Sequence, residues 1–112
     1  MELTVYWTRF AENKLEDIFE YYKFKANVFV AEKLVNGLLK TSIGLVNNPK
    51  MGQIEGLIID QSLEFRYLIH KNYKLIYLID YLMNQVEIVN IFDCRQNPEK
   101  INEIHKSIYP KK

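Results

Sequence analysis

The chain has 112 residues, 48% apolar and 26% charged, the make-up of one globular domain whose core can stand without disulfides or a structural metal. Fifteen Lys and Arg against fourteen Asp and Glu give a formal net charge of +1, and division at residue 59 leaves 7 against 7 before it and 8 against 7 after it. A strongly basic, nucleic-acid-binding half is thereby excluded, and any phosphate contact must come from a local patch. The single cysteine, Cys94, lies in no metal-spaced cluster, no run approaches the roughly 18 apolar residues of a membrane span, and the start lacks a basic n-region, so a soluble, cytoplasmic protein is expected.

Leu3, Val5 and Trp7 alternate with Glu2, Thr4 and Tyr6, the period of a half-buried strand. Thr8 can cap a helix over Arg9 to Phe24, in which Ala11, Leu15, Ile18 and Tyr22 recur at three- and four-residue steps. Asn27 can cap a second helix with a stripe of Ala31, Leu34, Val35, Leu38, Ser42 and Leu45, which Asn47-Asn48-Pro49 stops near Val46. So short a connection predicts an antiparallel helical hairpin. Met51 to Asp60 shows no clear period and reads as a loop with room for a short extended piece. Leu63 to Ile69, Tyr73 to Tyr81 and Val86 to Phe92 then follow as strands, joined by breaks too short for parallel crossovers. Asn97-Pro98-Glu99 starts a third helix, with Ile101, Ile104, His105 and Ile108 on its apolar side.

The expected class is therefore α+β: an N-terminal strand, a two-helix hairpin, a three-stranded antiparallel meander completing a sheet of about four strands, and a short C-terminal helix, all in one domain spanning 1–112. The hairpin shields one sheet face and leaves the other as a shallow surface partly bordered by the C-terminal helix. Apolar residues fall on both parities of the strands, so the second face is a candidate seat for a partner protein segment or a second copy of the chain.

Among motifs that carry chemistry, the glycine-rich phosphate loop, HExxH, nucleophile elbow and EF-hand loop are all missing. What remains is a scatter of cations and aromatics on the later strands: Arg66, Tyr67, His70, Lys71, Lys74, Tyr77 and Arg95. Each has a plainer reading. Arg66 and Arg95 can pair with Glu64, Glu87 or Asp93. His70 and Lys71 sit at a turn, and Tyr73 and Tyr77 are strand residues first.

Leu3 to Trp7 with Ala11, Leu15, Ile18 and Tyr21-Tyr22, then Asn48-Pro49 and Gly52, Arg66-Tyr67-Leu68, Asn72-Tyr73-Lys74-Leu75-Ile76-Tyr77, Val86-Glu87-Ile88 and Ile91-Phe92-Asp93-Cys94-Arg95-Gln96-Asn97-Pro98 form an ordered series. Over nearly the whole chain this series resembles the RelE/ParE toxin superfamily, most closely the branch called plasmid stabilisation proteins. The resemblance implies the toxin of a type II toxin-antitoxin pair, neutralised by a small antitoxin protein and needing no metal or organic cofactor. Two activities diverge in that superfamily: RelE-like members cleave messenger RNA on the ribosome, and ParE-like members inhibit DNA gyrase without a nuclease site.

For a metal-independent, ribosome-dependent endoribonuclease, the resemblance places Arg66, Lys74 and Arg95 around the scissile phosphate. His70 is the nearby group that titrates near neutrality. The net charge of +1, and the failure of His105 and Tyr109 to reproduce a terminal His-Tyr pair, depart from the nuclease pattern. The alternatives are gyrase inhibition by a non-enzymatic protein, or a decayed toxin that retains only antitoxin binding.

Overall fold

Thr8 joins the first strand to the first helix and both to the far end of the sequence. In the computed structural model, which describes residues 3–58 and 63–102, its hydroxyl accepts from the Ala11 amide at 3.1 Å as the N-cap of α1 (Arg9–Lys25). The same hydroxyl donates to the Ile88 carbonyl at 2.9 Å. β1 (Thr4–Trp7) thus ends against the middle of β5 (Gln85–Asp93), and the two run parallel, Thr4 opposite Gln85 and Trp7 opposite Ile88.

Asn27 caps α2 (Val28–Gly44) by accepting from the Val30 amide at 2.9 Å, so each helix starts on a side chain that satisfies an otherwise free amide. The predicted stripes face inward: Ala11 and Ile18 from α1 and Ala31, Leu38 and Ser42 from α2 are buried. α2 ends at Gly44, two residues earlier than Asn47-Asn48-Pro49 suggests, and α1 runs one residue past Phe24.

The sheet has five strands, not about four, in the order β1-β5-β4-β3-β2. The addition is β2 (Gln53–Ile54), an exposed edge of two residues that pairs antiparallel with β3 (Phe65–His70), Gln53 opposite Tyr67 and Ile54 opposite Arg66. A strand so short leaves no alternation to read; it forms because β3 supplies a register. β4 (Tyr73–Asp80) pairs antiparallel with both β3 and β5, as the short connections require. A register shift between Ile76 and Tyr77 sets Ile76 opposite Asn90 but Tyr77 opposite Ile88. Val89 is the extra residue, and this bulge lets both Ile88 and Ile91 reach the helix side.

Two cores result. Leu38, Leu45, Leu75, Tyr77, Val86 and Ile88 fill the space under the helices, where each fully buried aliphatic side chain contributes about 2 kcal/mol. On the other face Phe65, Ile76, Val89 and Phe92 pack with Ile58 and Ile101, both almost fully buried. That face is therefore not the open, shallow surface expected from the strands: the loop after β2 and the start of the C-terminal helix cover it. Asn97 accepts from the Glu99 amide at 3.0 Å, and helical backbone begins at Lys100. Ile104, His105, Ile108 and Tyr109 lie outside the described residues.

Candidate functional site

Arg66 lies opposite Tyr77 on β3, on the same side of the strand as Leu68, and so points to the helix side. Its guanidinium donates to Glu64 at 2.9 Å and to the Gly52 carbonyl at 2.8 Å. Tyr77 grips the same loop: its hydroxyl donates to the Pro49 carbonyl at 2.6 Å and accepts from the Gly52 amide at 3.0 Å. Burial pushes that hydroxyl's pKa up, opposed by the Gly52 amide and by Arg66. A Cβ at Gly52 would lie 2.6 Å from the Tyr77 hydroxyl and 2.7 Å from the Tyr67 carbonyl, so glycine is required by close approach. Arg66 and Tyr77 together staple residues 49–52 to the sheet.

Lys74, one position off Tyr73 and Leu75, faces the opposite side. Its ammonium meets Glu55 at 2.7 Å and stands 4.4 Å from the centre of the Tyr67 ring. Glu55 is only 2% exposed, and its second oxygen accepts from the Leu57 amide at 3.0 Å. Lys74 thus holds a buried carboxylate in place. Cys94 is exposed at the end of β5, yet partial burial of its thiol pushes the pKa up, away from thiolate chemistry.

Arg95 forks onto Asp93, Nη2 to Oδ2 at 2.8 Å and Nε to Oδ1 at 3.0 Å, while Asn72 donates to the same carboxylate at 3.1 Å. The Arg95 hydrogen bond leads in holding the Asp93 carboxyl down at about 2. At 59% side-chain exposure Arg95 is more open than Arg66 or Lys74. It borders a shallow depression of about 340 Å³ with Lys14, Asp17, Tyr21 and Tyr73 from α1 and β4. Burial lowers the pKa of Lys14, with Asp17 and Asp93 opposing.

His70 closes β3 and lies against α2 where Gly37 has no side chain; a Cβ there would overlap the imidazole. Burial first, and Lys71 second, lower its pKa below the ordinary value of 6.5, which favours the neutral ring. It forms one wall of a groove of about 900 Å³ between α2 and the β3–β4 turn, with Tyr22, Phe29, Val30 and Leu34 as apolar lining and Lys33, Lys40 and Lys71 against Glu32 at the rim. Apolar surface continues onto the tip of the helical hairpin, where Phe24 is 89% exposed and Phe29 is also open.

The four residues singled out from the sequence do not meet at one point. Arg66 and His70 face the helices, Lys74 the opposite side, and Arg95 stands beyond the end of β5; each of the three cations has a carboxylate oxygen within 3 Å. Among the described residues no three His, Cys, Asp or Glu side chains gather to hold a metal ion, and no helix is long and apolar enough to cross a membrane. Sequence reasoning placed Gly52 in the ordered series but gave it no role, and it missed Glu55 and the groove at Gly37. For the last a signal existed, since a glycine inside an otherwise regular helical stripe marks a close approach.

Against known proteins, the family described as the ParE toxin of the type II toxin-antitoxin system, parDE, matches residues 5–98. Among solved structures, the chromosomal ParDE toxin-antitoxin system from P. aeruginosa contains a chain of similar fold. The TM-score is 0.68 at 17% identity, over 81% of this chain and 95% of that one. Among curated proteins no relative is found.

Proposed function

Because the chain belongs to the ParE toxin family of type II toxin-antitoxin systems, we propose that it acts by binding a protein, inhibiting DNA gyrase in the cytoplasm when its antitoxin is gone. The observation that carries this reading is the engagement of Arg66, Lys74 and Arg95, each by a carboxylate. Cutting RNA needs free cations beside the phosphate and an acid and a base within reach of the same atoms. Here Arg66, Lys74 and Arg95 are each closed onto a carboxylate, on different sides of the sheet, and His70 is tucked against α2.

The groove at Gly37 suits the antitoxin. An apolar floor with three lysines against one glutamate at its rim favours an amphipathic segment with acidic residues on its outer side.

Gyrase supercoiling assays with the purified protein test the reading. The wild-type chain is expected to block supercoiling, the cognate antitoxin to restore it, and Arg95→Ala to stay within about threefold of wild type, since an exposed pair contributes little. No inhibition, together with cleavage of ribosome-bound message that Arg95→Ala abolishes, would overturn it in favour of the nuclease.

A further inference from the structure

The turn between β4 and β5 carries three consecutive large apolar residues in water: Tyr81, Leu82 and Met83 are 68%, 97% and 67% exposed. Single exposed apolar residues are ordinary, but turns favour Gly, Asn, Asp and Ser because those residues fit the backbone and keep water contact. Three such side chains in a row on a turn are not explained by folding. Nor is the turn loose. Asp80 Oδ1 accepts from the Leu82 amide at 3.1 Å and from the Met83 amide at 3.0 Å, and Asn84 takes the left-handed conformation at φ 53. The Thr4 amide then donates to the Asn84 carbonyl at 3.2 Å, tying the turn to β1. A tip ordered before binding loses little conformational entropy on docking.

We propose that the Tyr81-Leu82-Met83 tip is the knob by which the toxin enters an apolar pocket of its target protein, on a surface separate from the antitoxin groove. The inference rests on the reading of the chain as a toxin that acts by binding. The β4–β5 turn lies at the opposite end of β4 from the β3–β4 turn that walls the groove, so an occupant of the groove leaves the tip free.

Other occupants fit less well. Two convex tips meeting head to head enclose little of each other and fall well under the roughly 800 Å² per partner that a stable interface takes, which disfavours a second copy. A concave pocket instead encloses all three side chains as the anchor of a wider contact. The polar residues that flank the tip in sequence are Asp80, Asn84 and Gln85, none of them Lys or Arg, which disfavours an anionic lipid surface. A small, rigid, apolar projection matches a concave pocket, and Met83 can adapt to its walls.

The test is the double variant Leu82→Ser/Met83→Ser in the full chain, with Leu82→Lys as a second variant. Both residues project into water, so the fold stays intact, as circular dichroism and urea unfolding check. Growth arrest on induction without antitoxin, inhibition of gyrase supercoiling and binding to the cognate antitoxin are then compared with wild type.

At least tenfold weaker growth arrest with unchanged antitoxin affinity supports the tip as the target contact. If wild type arrests growth without touching gyrase while the variants do not arrest it, the gyrase reading falls and the tip stands. Undiminished arrest by the variants, or loss of antitoxin binding in them, overturns the tip. A wild-type chain that neither arrests growth nor inhibits gyrase overturns both.

Discussion

Tyr77 shows how a residue read from the sequence as a strand member acquires a second task. Its ring lies in the core under the helices while its hydroxyl holds Pro49 and Gly52, 28 and 25 positions earlier. Tyr77→Phe leaves the buried Gly52 amide and the half-buried Pro49 carbonyl without that partner and is expected to lower stability by about 2 kcal/mol. Gly52→Ala forces a methyl against the Tyr77 hydroxyl and the Tyr67 carbonyl, a backbone atom that cannot swing aside, and is expected to cost about as much. Urea unfolding midpoints of the two variants measure both losses. Arg66 was legible as a candidate because cations on a strand are conspicuous, and Glu64 was legible as its partner. Its bonds to loop carbonyls were not, since nothing local to Arg66 announces which loop will fold back onto it.

Among the elements, β2 is held less by its own two residues than by what lies beside them. Tyr67 donates its hydroxyl to Gln53 at 3.0 Å, and Lys74 on β4 reaches across β3 to Glu55. Lys74→Met leaves the Glu55 carboxylate buried without its cation and is expected to destabilise by about 3 kcal/mol. Adding Glu55→Gln, which keeps an acceptor for the Leu57 amide but carries no charge, should recover most of that loss in a double-mutant cycle read by urea unfolding. Full stability in Lys74→Met would show that the pair is dispensable. The helices were readable from their period of 3.6, the three long strands from runs of Tyr, Ile, Leu and Val between short breaks, and the caps Thr8 and Asn27 from residue type. β2 was readable only as room for a short extended piece within 51–60, because two exposed residues have no period. The bulge at Val89 was hidden, and it reverses which later residues of β5 face the helices.

For the whole molecule, the parallel contact of β1 with β5 binds the start of the chain to its last strand. Leu3, Val5 and Trp7 pack on the helix-side core beside Val86 and Ile88, so a chain beginning at Thr8 exposes one long edge of β5. Such a chain is expected to lose cooperative urea unfolding altogether, whereas a single sharp transition close to that of the full chain would show that β1 is ornamental. Alternation made β1 legible; its partner was not, since pairing across the whole sequence leaves no local trace. The same contact sets a timetable. Thr8 must wait for Ile88, 80 positions later, and at the pace of synthesis that is on the order of ten seconds. During that interval the ribosome releases the helical hairpin, with α2's wall of the groove, well before the β4–β5 tip, and the sheet closes only after both. On the assignments proposed above, the antitoxin's side of the molecule is thus begun early with α2, and the side that meets the target is finished with the sheet.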